Sequence, residues 1–305
     1  MLARNHVAAA SIAHDCSFVA EEFETSTIAR LQADFVVCCA SAQSPYENLA
    51  QPSAWTRLIE EAGFGVTLPL QTTVVARVAR ALAEVSPHTL LINGCFPDAV
   101  NPLLASLGLP VWCGIGNVAT IAACLQEALD LPDQRALAVL GHHAHLSSLD
   151  EVLVWRNGSP LSDVSELLRA ARALPRRELN AIAGQAAARL LADLANGSDV
   201  ATSLPGPLGL PGGYPVRIAN GAIALNLPAG LSRTQAVEWN TEAGRRDGIE
   251  VRDGQVSYTP KAIAALEPHL PEIANGWPAY ALEEVTDQFC ALRKRLRLTE
   301  SHKEQ

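Results

Sequence analysis

No apolar run in this sequence approaches the ~20 residues that a helix needs to cross a bilayer, and the N-terminus has no charged-then-apolar leader pattern. Neither a membrane span nor a secretion signal is expected, and the expected compartment is the cytoplasm. The seven cysteines, at positions 16, 38, 39, 95, 113, 124 and 290, are odd in number and fall mostly inside apolar strand or helix patterns. They read as reduced thiols buried as small hydrophobes, not as a disulfide framework. Basic residues are outnumbered, 23 against 32 acidic, for a net charge of −9. The one basic cluster, Arg293, Lys294, Arg295 and Arg297, suits the solvated end of a last helix. A nucleic-acid or anionic-membrane partner is therefore not expected, because counterion release needs clustered Lys and Arg. Internal repeats and low-complexity segments are absent, and residues 1–40 contain no glycine, which excludes a Gly-x-Gly-x-x-Gly phosphate turn there.

What is present is an α/β pattern in a chain of 305 residues, long enough for a well-buried core. The organising stretch runs from Thr89 to Leu146. In it TLLINGCFPD, VWCGIGN and RALAVLGHHAHL alternate with two helical segments, which predicts successive parallel strands with crossover helices. Ligands of such sheets bind at the carboxyl ends of the strands, so Asn93, Cys95, Asn117, His142, His143 and His145 are placed in one neighbourhood. Upstream, residues 4–16 have helical spacing, SFVAEEF (17–23) reads as a short strand and ADFVVCCA (33–40) as a stronger one. Helices are expected over 53–62 and 72–85, separated by a loop-rich segment. Downstream, VLVWRNG (152–158) reads as strand and turn, two helices follow, and Asn220-Gly221 marks a hairpin in YPVRIANGAIALNLP. Helices over 232–247, 260–270 and 279–297 complete the chain.

The order of these elements resembles the lactate/malate dehydrogenase family over roughly residues 10–250. Four segments carry the likeness: ADFVVCCAS, SPHTLLINGCFPD, GIGNVATIAACL and LGHHAHL, followed by IAGQAAARLLADL and GYPVRIANGAIALNLPAGLSRTQAV. The resemblance implies an incomplete Rossmann-like parallel sheet over 1–146 and an α+β substrate and dimerisation domain over 147–305. It places His143 on the family's proton donor/acceptor, a role that suits an imidazole whose pKa lies near neutrality. Asn93 falls on the residue that holds cofactor ribose and substrate carbonyl, and Arg57 on the mobile-loop arginine. Ala40, Ser41, Asn93 and Asn117 are the implied cofactor contacts.

Two departures matter. The family's orienting Asp and its carboxylate-clamping Arg are here Thr120 and Ala123, and its small hydroxyl residue is Ala186. A plain 2-hydroxy or 2-oxo acid is therefore not the expected substrate. The chain also begins near the family's third helix, so NAD or NADP binding is expected to be weak. The absent strand would leave ADFVVCCA open on one side, to be covered by a rearranged SFVAEEF, by residues encoded upstream of Met1 or by a partner chain. A homodimer is expected. His142, His143 and His145 form an H-H-x-H run, in which an extended backbone would point His143 and His145 one way and His142 the other. The spacing fits no specific metal motif, and no metal is expected. Cys95 with His143 as base is a further nucleophile candidate. The functional expectation is a divergent dehydrogenase-type oxidoreductase acting on a non-standard small molecule; the alternative is a degenerate, non-catalytic binding or scaffold subunit.

Overall fold

The computed structural model describes residues 23–146 and 152–298. The expectations for residues 4–22, including most of SFVAEEF, lie outside this range. In chain order the described elements are α1 (Thr25–Leu31), β1 (Phe35–Cys38), α2 (Glu47–Ala50), α3 (Ala54–Ala62), α4 (Leu68–Val85), β2 (Leu90–Asn93), α5 (Pro97–Ser106), β3 (Cys113–Gly114), α6 (Val118–Ala128) and β4 (Leu137–Leu140). Then come β5 (Leu153–Arg156), β6 (Ser159–Pro160), α7 (Val164–Arg172), α8 (Arg176–Ala195), β7 (Val200–Pro205), β8 (Gly213–Ala219), β9 (Ala222–Leu225) and α9 (Arg233–Gly244). The last are β10 (Ile249–Arg252), β11 (Gln255–Tyr258), α10 (Pro260–Leu266), β12 (Trp277–Pro278) and α11 (Leu282–Leu298). Among the described residues no helix is long and apolar enough to cross a membrane.

The chain is α/β, with a parallel sheet in its N-terminal half and antiparallel sheets after it. β1, β2 and β3 form the parallel sheet in that order, with Cys38 opposite Asn93 and Asn93 opposite Gly114. Among the described residues β1 and β3 are the two edges of this sheet. α4 begins at Leu68, four residues before the expected start, because Pro69 fits the first turn of a helix where no N–H is needed.

β4 corrects the expectation of a third parallel strand in the Thr89–Leu146 stretch. It pairs antiparallel with β5, and Gly141 just beyond it bridges antiparallel to Gly213. The end of β7 packs against the two-residue β3: a Cβ at Gly114 would lie only 3.0 Å from the Pro205 carbonyl oxygen. β4 is instead held by its apolar side chains, Leu137 and Val139, against Val118, Ile121 and Leu125 of α6. β7 and the β10–β11 hairpin are further additions to the expected elements. The hairpin turns at Asp253-Gly254, both at positive φ (50° and 76°), the conformation that a two-residue turn of this kind requires.

Hydrophobic clusters tie distant parts of the sequence together. Trp55, Leu82 and Leu103 share one cluster with Val256, Trp277 and Phe289, so the C-terminal strands and α11 close over the N-terminal helices. Glu47, buried on α2, fixes that closure by pairing with Arg293 (3.2 Å) and Arg297 (2.6 Å) of α11. A second cluster joins Ile92 and Cys113 to Leu204, Tyr214 and Val216.

Two glycines bring distant stretches of backbone into contact. Gly63 sits at φ 100°, and a Cβ there would lie 2.4 Å from the Asp247 carbonyl oxygen. A Cβ at Gly65 would lie 2.6 Å from the same atom. The Gly-Phe-Gly segment is thereby pressed onto the backbone of Asp247. Gly63→Ala is expected to destabilise by at least about 3 kcal/mol, since clash and strain combine. Gly158→Ala, also at positive φ but with no atom in reach of its Cβ, should cost about 1 kcal/mol. Equilibrium denaturant unfolding of the two variants checks the difference.

Candidate active site

Four separated segments build the site, and each is fixed from within. β2 ends at Asn93, whose fully buried amide donates to Cys95 O (2.9 Å) and Asn101 Oδ1 (2.8 Å) and accepts from Cys95 N–H (2.8 Å). Phe96 then turns through the left-handed region (φ 45°, ψ 51°), a conformation that bulky residues seldom adopt, and Pro97 starts α5. Asp98 consequently lies in the first turn of α5, 2% exposed. Its Oδ1 accepts from the His143 N–H (3.2 Å) and its Oδ2 from the side-chain amide of Asn117, the residue that caps α6.

The histidine run is not extended. His143–Leu146 form a single 3₁₀ turn, closed by a bond from His145 N–H to His142 O (3.0 Å). The alternation expected of a strand is replaced by a different division. The rings of His142 and His143 lie side by side, 4.9 Å between centroids. His145 turns away and stacks on Trp239, at 5.2 Å and 9° between planes.

Asp247 enters from the 3₁₀ turn that follows α9. Its Oδ1 is 3.2 Å from His143 Nε2, and its Oδ2 is 3.6 Å from His142 Nδ1. On the other side, Asp98 Oδ1 is 4.0 Å from His142 Nε2. The edges of Phe64 and Phe96 pack on His143 at 6.1 and 5.1 Å, leaving its side chain 20% exposed. Two buried polar atoms of this group have no hydrogen-bond partner among the described residues: His143 Nδ1 and Asp247 Oδ2. A cleft lined by Phe96, Asp98, His142, Asn240, Thr241 and Asp247 reaches the group.

The two adjacent imidazoles are driven in opposite directions. Burial holds His142 below its ordinary pKa, outweighing the nearby Asp98 and Asp247 carboxylates. Burial also works against charge on His143, but the charge and hydrogen bond of Asp247, with Asp98 behind them, outweigh it and raise the pKa. Asp247 is held below the usual carboxylate range: burial pushes it up, and the charges of His143 and His142 more than offset that. Two adjacent imidazoles whose proton affinities are pushed apart are an arrangement suited to proton transfer. Asp98, His142 and His143 also present donor atoms all within 4.8 Å of one another, a set that could hold a metal ion.

Of the residues singled out in the sequence, His143 and Asn117 meet around Asp98. Asn93 is buried behind them, its side chain committed to the turn and to α5. Ala40 and Ser41 follow β1, where the Ser41 hydroxyl donates to Gln43 O (2.7 Å). Arg57 lies on the exposed face of α3. Asp98 and Asp247 were missed. Asp98 had a signal, a strand running into Pro-Asp at a helix start, whereas Asp247 reaches the histidines only through long-range packing.

No protein-family model matches the chain, and no curated protein sequence matches it. Among solved structures, the malate dehydrogenase of Cryptosporidium parvum is similar at 20% identity and a TM-score of 0.45, covering 79% of this chain and 83% of that one. The malate dehydrogenase of Aeropyrum pernix is similar at 15% identity and a TM-score of 0.46, with the same shares of the two chains covered.

Cys95 is buried, and burial, reinforced by Cys38 and Cys39, pushes its thiol up to about 12. At pH 8 only ~10⁻⁴ of it would be thiolate, the reactive form. Treatment with iodoacetamide at that pH followed by mass mapping should label the exposed Cys290 well before Cys95.

Proposed function

We propose that this chain is a divergent dehydrogenase-type oxidoreductase of the lactate/malate dehydrogenase kind, in which His143 is the proton donor and acceptor. The observation that carries the reading is the pairing of His143 Nε2 with Asp247 at 3.2 Å while the opposite nitrogen, Nδ1, is buried without a partner. Asp247 holds the imidazole by one edge and favours its charged form. A substrate oxygen that displaces the side chains covering Nδ1 would take its proton as a carbonyl, receiving hydride from the carrier, becomes an alcohol. Asp247 thus takes the orienting role that Thr120 cannot fill.

The substrate proposed is a small carbonyl or hydroxyl compound without a free carboxylate beside the reacting carbon. Thr120 is buried in α6, and Ala123 on the same helix has no charge to offer. Asp98, in the first turn of α5, would moreover repel an anion entering the cleft.

A nicotinamide dinucleotide is the hydride carrier that the resemblance implies, and the described residues do not fit tight binding of one. The strand–turn–helix unit at β2 and α5 lacks an N–H at Pro97 and carries a carboxylate at Asp98, where a pyrophosphate needs donors. Affinity for NAD(H) or NADP(H) is therefore proposed to be ~0.1 mM or weaker.

With millimolar NADH or NADPH, pyruvate and oxaloacetate should be reduced at least ~10³-fold more slowly than their uncharged esters or amides. His143→Ala should lower turnover of the best neutral substrate by ~10²-fold or more, and Asp247→Asn by a similar factor. If no carbonyl compound of this panel oxidises the nicotinamide, the oxidoreductase reading fails, and a non-catalytic binding subunit takes its place.

A homodimer is proposed as the working form. Leu190 is the one buried residue of α8, and Ala181, Gly184 and Ala188 are all exposed, with no atom in reach of a Cβ at Gly184. Such a face allows close approach of a second backbone. Light scattering at micromolar concentration should give about twice the 32.4 kDa chain mass; a mass of one chain would exclude the dimer.

A further inference from the structure

We infer that Asp98, His142 and His143 bind one divalent transition-metal ion of the zinc type, with Asp247 as the outer carboxylate that orients both rings. Three observations converge on this. The first is spacing. His142 Nε2 and Asp98 Oδ1 are 4.0 Å apart, too far for a hydrogen bond. A tetrahedral ion with ~2.0 Å bonds needs its donors ~3.3 Å apart, so these two atoms must close by only ~0.7 Å to share one. One nitrogen of His143 completes a set whose members all lie within 4.8 Å of one another.

The second observation is the side on which each ring is held. Asp247 Oδ1 faces His143 Nε2 and Asp247 Oδ2 faces His142 Nδ1. His143 is already within donating distance of this carboxylate at 3.2 Å, and a closure of a few tenths of an ångström from 3.6 Å would let His142 do the same, leaving the lone pair of the other nitrogen of each ring available. Metal-ligating histidines are held this way, by an outer carboxylate that fixes the tautomer. In the metal-free ring His142 Nδ1 accepts from the Ala144 N–H at 3.3 Å. Metal on Nε2 requires the proton to move to Nδ1, where Asp247 Oδ2, otherwise without a hydrogen-bond partner, receives it.

The third observation is the orphaned His143 Nδ1. A buried ring nitrogen without a partner is costly, and a ligated cation removes that cost. The donor set of two imidazoles and one carboxylate suits zinc, nickel or copper; calcium and magnesium prefer oxygen alone. Three protein ligands leave a fourth position toward the cleft, as in zinc sites that also carry a water or a substrate oxygen. Asp98 is fixed beforehand by the Asn117 amide and the His143 N–H, so little reorganisation is needed.

Metal binding at this site stands apart from the oxidoreductase reading. Metal would occupy the nitrogen from which His143 moves its proton, so a filled site competes with that role, and binding is read without any activity assay. The test is titration of the EDTA-treated full chain with Zn²⁺ against a chromophoric chelator, with elemental analysis and a parallel Co²⁺ absorption spectrum. One ion per chain, bound at ~1 µM or tighter, is expected. Asp98→Asn and His142→Gln should each weaken binding at least ~100-fold, and Asp247→Asn by roughly 10- to 100-fold. Zn²⁺ should raise the melting temperature of the unaltered chain and leave that of His142→Gln unchanged. Failure of the unaltered chain to bind stoichiometrically overturns the inference. So does a Co²⁺ spectrum dominated by thiolate charge transfer, or unchanged affinity in folded His142→Gln.

Discussion

The pairing of the Asp247 carboxylate with two neighbouring imidazoles is the constraint on which the rest of the site depends. A carboxylate only 7% exposed costs several kcal/mol to desolvate unless cations or hydrogen bonds receive it. Here it is met by His143 directly and by His142 at longer range. The same pairing lets His143 hold charge in a place that would otherwise strip it. Asp98 adds a second buried carboxylate on the far side of the rings, satisfied by an amide and a backbone N–H. The histidines are therefore clamped between two acids, of which Asp247 depends on their rings and Asp98 on the Asn117 amide and the His143 backbone N–H. The glycines at 63 and 65 matter for this reason: they let the chain lie directly on the Asp247 backbone while Phe64 closes over His143.

Much of this was legible where the signal is local. The helices and most strands follow apolar periodicity and turn residues, and the window Thr89–Leu146 contains four of the residues that meet at the site: Asn117, His142 and His143, which the reading picked out, and Asp98, which it did not. Asn117 was legible for the same reason, since it closes a strand and caps a helix. Periodicity shows that RALAVL is a strand but not which strand it pairs with. That choice was decided by β7 lying against β3 and by the Gly141–Gly213 bridge, both products of packing over sixty or more residues. The turn of the histidine run was hidden similarly. His143 and His145 at a two-residue spacing fit a strand on paper, and the backbone closes into a 3₁₀ turn instead.

Asp247 shows where local reading ends. Nothing in Arg245-Arg246-Asp247-Gly248 distinguishes it from a solvated turn, and its partners lie a hundred residues earlier. It is buried because α10 packs against α3 and β10 against α5, which carries the turn inward. The Asp-Gly at 253–254 that turns the hairpin is a local signal that the reading of the sequence passed over. The side chain that it delivers to the histidines could not be read that way.

The third histidine has an optical consequence. Trp239 lies flat on His145, and His145 is bonded through the turn backbone to His142. Indole emission responds to the polarity and charge of whatever is stacked on it, so this pair couples the state of the histidine turn to light. Trp239, one of five tryptophans in the chain, is therefore the indole stacked on the histidine turn.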